Sequence, residues 1–371
     1  MGDFIFKHLF LLAIISIATI HIVDLNTVVY RIFILWTLSV YAISAGGQTL
    51  GGNAVFGFLK QANTAQLAAL GGINITSGGK DVGMSFHNPA LLRKEMHRQV
   101  NTSFNAFIAG ISNYSISAGY HLEEAKTSIG WGINYLNYGS IDQTDAAGNI
   151  IGRFNPRDYV VQVMASRNHK EKWWYGATIK FIHSGYGQFR SSGLAMDIGL
   201  NYHDPDKGLQ AGITVKNIGT QLNTYDGSGR KEELPFDLQA GITKKLQNAP
   251  VQFSLTLHEL HRFNNFYNDT LFRAGEGEDD FNKRNTLQKI FNHIVLGAQF
   301  FPDEKIEIST GYHFQRRQEL NGFNITNGLN GFSAGAGILL PKLQVRYATG
   351  FYQRQMFHQF SLNFNLKGEN L

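Results

Sequence analysis

The chain has 371 residues, 40 of them glycine, 28 phenylalanine and 15 tyrosine, with 16 % charged residues, a formal net charge of +5 and no cysteine. The lack of cysteine excludes disulfides, thiolate metal sites, cysteine nucleophiles and a cysteine-linked lipid anchor, and with no Lys/Arg block the usual footprint of a nucleic-acid partner is absent. Abundant glycine and aromatics, with charge well below the usual share of about 25 %, point to an all-β chain whose mild positive balance suits anionic lipid head groups.

Two apolar runs open the chain: "FIFKHLFLLAIISIATIHIV" over 4–23, and "IFILWTLSVYAISAGGQ" after Arg31. The second has the order of a secretory signal, with a positive residue, an apolar stretch, small residues and a cleavage site between Ser44 and Gln48. Residues 1–47 are read as a signal peptide with an upstream extension; a membrane anchor is the alternative. Residues 48–99 lack sustained alternation and form an N-terminal periplasmic or plug segment. Inside it "NPALL" (88–92) carries a helix start, with Asn88 as N-cap, Pro89 at the first helical position, and Leu91 and Leu92 continuing a short helix.

From residue 100 to 371 the chain alternates with period 2. In "LQAGITVK" (209–216), Leu209, Ala211, Ile213 and Val215 face one way and Gln210, Gly212, Thr214 and Lys216 the other. "VQFSLTLH" (251–258) and "FSLNFNL" (360–366) repeat the pattern, as a strand with one apolar face requires. Fourteen such segments fall near 100–109, 111–120, 127–138, 158–168, 173–184, 193–203, 208–218, 235–246, 251–261, 291–301, 304–316, 331–340, 342–352 and 356–366. Their length of about ten residues suits a tilted strand crossing a bilayer. Short turns ("HLEEAK", "NHKEK", "HDPDK", "QNAP", "PDEK", "PK") alternate with long loops at 139–157, 184–193, 219–234, 262–290 and 317–330. The expected fold is therefore an all-β transmembrane antiparallel barrel of about 14 strands in the outer membrane, with termini in the periplasm and long loops at the cell surface.

One strand face is apolar for lipid. The other carries Lys180, Asp197, Asn201, Lys216, Asp237, Gln239, Gln344 and Arg346, which read as lumen residues. Inward glycines in "IGWGIN" (129–134) and "FSAGAGI" (332–338) leave space inside, and a barrel this wide needs filling. Residues 48–99 answer that need as a plug; a periplasmic capping turn is the alternative. Trp173 and Trp174 by a short turn, and Tyr135 and Tyr138 by a long loop, are expected in interfacial girdles.

Chemistry is sparse. His258 and His261 in "LHELHRF" are not HExxH, and three apart on a strand they face opposite sides, so no metal site is expected. The acidic run "GEGEDD" (275–280) reads as solvated loop. No phosphate-binding loop and no evident catalytic triad are present, so neither a cofactor nor enzyme activity is expected.

The stretches "TAQLAALGGINIT" (64–76), "NPALL" (88–92), "YLNYGSIDQTDAAGNIIGRF" (135–154), "KNIGTQL" (216–222), "LPFDLQAGITKKLQNAP" (234–250) and "GYHFQRRQEL" (311–320), taken in this order, resemble the PorQ family of type IX secretion outer-membrane proteins, within the wider group of FadL-like barrels that includes PorV. The resemblance runs from about residue 49 to the last strand. It implies a non-enzymatic component that holds a PorZ-like surface protein in the attachment complex with PorU and PorV, where secreted cargo is linked to lipopolysaccharide at the cell surface. Partners would then be that surface protein, the PorU/PorV complex, and outer-membrane lipid and lipopolysaccharide. The loops 139–157, 219–234, 262–290 and 317–330 would form the dock, with Phe154, Tyr225, Phe266, Tyr267 and Phe272 as anchors, because exposed aromatics dominate interfaces. The alternative is a FadL-like transporter of small hydrophobic molecules, with the N-terminal segment as gate.

Overall fold

The computed structural model of the chain describes residues 54–77, 80–263, 286–320 and 327–366. Its strands are β1 (Gln99–Ala106), β2 (Ser112–Leu122), β3 (Thr127–Asn137), β4 (Ile141–Thr144), β5 (Ile150–Phe154), β6 (Arg157–His169), β7 (Trp173–Tyr186), β8 (Phe189–Asp204), β9 (Leu209–Asn223), β10 (Asp237–Lys245), β11 (Val251–Leu257), β12 (Ile294–Asp303), β13 (Ile306–His313), β14 (Phe332–Leu339), β15 (Leu343–Tyr352) and β16 (Gln355–Asn365). β4 and β5 pair with each other; the other fourteen close a barrel in which every strand is antiparallel to its sequence neighbour and β16 returns to β1, from Gln99 opposite Asn365 to Ala106 opposite His358. Closure leaves no sheet edge in hydrocarbon, the condition for any β structure that spans a bilayer.

The faces follow the alternation. Outward, Ile116, Ile133, Val161, Phe181 and Leu194 stand opposite one another across β2, β3, β6, β7 and β8, and all are exposed. Inward, Lys180, Asp197, Asn201, Lys216, Asp237, Gln239 and Arg346 are buried. Apolar outside and polar inside is the inverse of a soluble domain and the signature of a membrane barrel.

The six short turns named from sequence all lie at one end, where β1 begins and β16 finishes. The other end differs from expectation in part. It carries the long connections, but the supposed loop 184–193 is a hairpin: β7 and β8 run on until Tyr186 faces Phe189. The strands β6 to β9 therefore stand taller than β10 to β14. The connections 107–111 and 353–354 at this end are also short. Within 139–157 the chain folds as the β4–β5 hairpin rather than as open loop.

The interior is filled by residues 54–77 and 80–97. The chain enters in the long-loop half, where the Val55 N–H donates to Glu233 O at 3.0 Å, and leaves at the tight-turn end, where Arg98 N–H donates to Gly119 O at 2.9 Å. Between them lie α1 (Ala65–Ala69), capped by Thr64 Oγ1 accepting from Leu67 N–H, and 3₁₀ turns at Val82–Phe86 and Pro89–Leu91. The inward glycines do not leave a void; they seat this plug. A Cβ on Gly176 would lie 2.6 Å from the Pro89 carbonyl carbon, on Gly199 2.1 Å from Asn88 Oδ1, on Gly311 2.2 Å from the Gly71 nitrogen, and on Gly335 2.7 Å from Ala69 Cβ.

Aromatics sort by face. Trp173 is outward and exposed, as a girdle residue should be. Trp174 faces inward, with the Arg93 guanidinium 4.6 Å from its ring centroid. Tyr135 is outward beside Tyr114, but Tyr138 turns inward and its hydroxyl donates to Asp158 at 2.6 Å. Trp173 and Trp174 are adjacent on a strand and must take opposite faces, whereas Tyr138 lies just past the end of β3 and is drawn inward by Asp158.

The glycine seats make a direct prediction. Gly311→Val forces the Gly71 backbone away, an overpacking cost of about 1–3 kcal/mol. Tryptic cleavage at Lys60 and Lys80 should rise about tenfold while the barrel keeps its heat-modifiable migration, whereas Gly57→Ala, with nothing within 4 Å of the new Cβ, should leave cleavage unchanged. Equal protection in both variants would contradict a seated plug.

Candidate functional site

Two features of the interior invite function: the anchorage of the plug and a cavity above it.

The anchorage centres on a buried ionic triad. Arg346 on β15 donates from Nη1 to Asp81 Oδ2 at 2.9 Å and from Nε to Glu307 Oε2 at 3.1 Å. Asp81 is an N-cap of the plug: its Oδ1 accepts from Gly83 N–H at 2.8 Å and from Asn101 Nδ2 at 2.9 Å. Glu307 Oε1 in turn accepts from Gln299 Nε2 and Ser309 Oγ. Around this triad, neutral links tie plug to wall: Ala65 N–H to Ser361 Oγ at 2.7 Å, Asn74 Nδ2 to Ser254 Oγ at 2.9 Å, and Ser77 Oγ to Gln299 Oε1 at 2.8 Å. At the tight-turn end Arg93 donates to Asn201 Oδ1 at 2.7 Å and Gln210 Oε1 at 3.1 Å.

The residues singled out around "NPALL" belong to this anchorage. Asn88 caps the 3₁₀ turn by accepting from Ala90 N–H at 3.0 Å, and its Nδ2 donates to Ile75 O at 2.8 Å. Pro89 rests on Gly176. Leu91 packs with Leu67 and Met84, and Leu92 with Val82, Met96 and Met164. All four are buried.

The cavity, of about 340 Å³, lies between the plug and the long-loop end. One side is apolar, with Leu59, Leu67, Phe107, Tyr352 and Phe357; the other is ionic, with Lys60, Lys216, Asp237, Glu259 and Arg316. Lys60 of the plug pairs with Glu259 at 2.7 Å. Lys216 Nζ lies 2.6 Å from His87 Nδ1. Burial, reinforced by Lys216 and Lys180, holds His87 well below the ordinary imidazole range. Arg316 leans on the Tyr352 ring, 5.7 Å from its centroid.

The wall of the cavity is irregular at β8–β10. The β8–β9 register slips between Met196 and Ile198, and Asn217 takes φ +57°. This bulge is held by Asn217 N–H donating to Asp197 Oδ1 at 2.8 Å, Asn217 Nδ2 to Pro235 O at 2.8 Å, and Lys180 Nζ to Asn217 Oδ1 at 2.9 Å. Lys180 also pairs with Asp197 at 2.6 Å. Beyond Lys216, opposite Asp237, β9 has no ladder with β10.

His258 and His261 lie past the end of β11, not on a strand as the alternation suggests, with His261 in a turn. His258 packs against the His313 ring at 4.9 Å, and His261 against Phe236 at 4.8 Å. Among the described residues no three His, Asp or Glu side chains converge to hold a metal ion. Of the expected docking aromatics, Phe154 is half-buried at the end of β5 and covers Gly187. Tyr225 packs into the interior cluster of Phe58, Val160 and Ile182, and its hydroxyl bonds Ser184 Oγ. Phe266, Tyr267 and Phe272, and the run 275–280, lie outside the described residues. Sequence reading missed Asp81, Glu307, Lys60, Glu259, His87 and Arg316. Glu307, a lone acid between Ile306 and Ile308 on an inward strand position, was the one visible signal.

No protein-family model matches the chain, and no curated protein does. Among solved structures, a mutant of the TodX monoaromatic hydrocarbon channel matches with TM-score 0.49 at 12 % identity over 82 % of this chain and 97 % of that one. A Pseudomonas aeruginosa FadL homologue gives TM-score 0.49 at 8 % identity over 82 % and 98 %. The Acinetobacter baumannii outer membrane protein Omp33 gives 0.37 at 8 % over 72 % and 97 %. Likeness of this degree assigns neither family nor function, and the functional reading rests on the chain's own residues.

The triad yields a stability prediction. Arg346→Met strands Asp81 and Glu307 as buried charges, which costs about 3–5 kcal/mol. Denaturant unfolding of the refolded barrel should show that loss, and Asp81→Asn/Glu307→Gln added to Arg346→Met should recover most of it, since removing all three charges removes the desolvation cost. An unchanged midpoint for the single variant would show that the triad does not anchor the plug.

Proposed function

We propose that the chain is a non-enzymatic outer-membrane barrel that holds a partner protein at the cell surface through its long-loop end. The observation that carries this reading is the filled lumen: a plug seated on wall glycines and tied by a buried ionic triad leaves the rim, not the pore, as the working surface. The rim is built for contact. The β4–β5 hairpin presents Ile150 and Ile151 at 64 % and 61 % exposure, and α2 (Thr286–Asn292) presents Leu287 at 66 %. Apolar side chains held out on folded elements are a common mark of interaction surfaces. The sequence resemblance to the PorQ family gives the specific form: a component of type IX secretion that carries a PorZ-like surface protein beside PorU and PorV. In this reading the tight turns face the periplasm.

A second reading has its own observation. The cavity of about 340 Å³, with an apolar side and an ionic side, next to a wall where the β9–β10 ladder stops, favours uptake of a small hydrophobic molecule of the FadL-like kind.

Purification from outer membranes in mild detergent, with mass spectrometry of everything retained, separates the two. The scaffold reading predicts stoichiometric recovery of a large surface protein and at least a roughly tenfold drop for the pair Ile150→Asn/Ile151→Asn, the effect of losing two central apolar contacts. Recovery of the barrel alone, carrying a small apolar ligand, would overturn it.

A further inference from the structure

The tall strands β6, β7 and β8 carry a feature that neither reading uses. Along their outward face the one acidic residue is Asp204, at the far tight-turn end and paired with Lys172; from Arg157, Gly185 and Arg190 through the barrel middle there is none. At the long-loop end of that face the register sets Arg157 opposite Gly185, and Gly185 opposite Arg190. One step toward the barrel middle come Tyr159, His183 and Ser192; one step further, Val161, Phe181 and Leu194. Charge, then amphipathic rings and hydroxyl, then hydrocarbon is the order in which a bilayer leaflet itself is layered.

The pieces are preorganised. His183 Nδ1 lies 2.9 Å from Ser192 Oγ, and the Tyr159 and His183 rings pack at 5.1 Å. The Asn223 side chain holds the β8 backbone here, donating to Arg190 O at 2.9 Å and accepting from Ser192 N–H at 3.0 Å. Gly185 has no side chain, and a Cβ there would meet nothing nearer than 4.0 Å, so a notch opens between the two arginines. Strands two apart are about 10 Å apart, a span that two guanidiniums can close on one phosphate. Among the described residues neither Arg157 nor Arg190 has an ion pair; the other basic residues nearby behave differently, Arg153 being paired with Asp142 at 2.8 Å.

The geometry points to a binding site for the phosphate group of a membrane lipid on the outer wall of β6–β8. Arg157 and Arg190 clamp the phosphate across Gly185, with Tyr159, His183 and Ser192 beneath it and an acyl chain lying on Val161, Phe181 and Leu194. Guanidinium forks match phosphate oxygens in pairs. The site rests on the membrane-spanning reading of the barrel and not on any protein partner. A lipid phosphate, rather than a free one, is the occupant because the apolar floor continues directly from the notch.

Native mass spectrometry of the full chain, titrated in detergent with bis-phosphorylated lipid A, its fully dephosphorylated form, and inorganic phosphate, tests this. The wild type should retain the phosphorylated lipid over the dephosphorylated one. Retention should fall roughly fivefold for each arginine removed, by R157Q and R190Q, and about twentyfold for both, the effect expected of charges acting near an anionic surface. R167Q, at the opposite end of β6, should retain lipid normally; all three positions are exposed, and heat-modifiable migration checks that each variant is folded. Equal retention by R157Q/R190Q, or by the dephosphorylated lipid, would overturn the proposal. So would inorganic phosphate displacing the lipid at matched concentration, which would assign the notch to a free anion.

Discussion

Hydrocarbon offers no partner to a backbone N–H or C=O, and the whole architecture descends from that constraint. It forces the sheet to close, and closure by fourteen strands encloses a lumen too wide for wall side chains alone to fill. The chain meets this by sending its own residues 54–77 and 80–97 inside and by removing side chains from the wall where they land. Glycine recurs at inward positions for a steric reason, since the plug backbone presses on the sheet at Gly176 and Gly311 and the Asn88 side chain on Gly199.

A steric seat alone does not fix which way a plug lies. The ionic triad Asp81–Arg346–Glu307 adds direction, because each member is buried and each oxygen and nitrogen must find its partner at once. Buried ion pairs contribute little net stability over an apolar core, but a mispaired one is costly. The triad therefore selects one arrangement of plug and wall. The bulge at Asn217 works the same way on the opposite side, where Lys180, Asp197 and Pro235 together hold a backbone conformation that few non-glycine residues adopt. With the inner surfaces committed, what the molecule offers its surroundings is the rim and the outer wall.

Much of this was legible in the sequence, because lipid imposes the simplest of patterns. Each of the fourteen barrel strands overlaps the segment that alternation marks, since a period of two with one apolar face has no other stable reading in a membrane barrel, but 291–301 and 304–316 reach into the helices Thr286–Asn292 and Phe314–Leu320. The misreadings have local causes. The β7–β8 hairpin reads as a loop in sequence because Arg190 and Ser192 break the apolar face, yet above the hydrocarbon a strand continues with polar residues on both sides. The β4–β5 hairpin is short and exposed on both faces, so it leaves no burial pattern. Trp174 and Tyr138 were assigned to lipid by residue type, although their neighbours Trp173 and Asn137 already occupied the outward face. His258 was placed on a strand that stops one residue earlier. Partners such as Asp81 with Arg346 are 265 apart in sequence, and no local pattern announces a contact of that range.

The plug is a fixed part of the wall and closes the pore. Planar-bilayer conductance tests it most directly, comparing the intact protein with a chain lacking residues 54–97. The expected result is no steady conductance from the intact barrel and open, ohmic channels once the plug is deleted. Steady conductance from the intact protein, unchanged by the deletion, would contradict it.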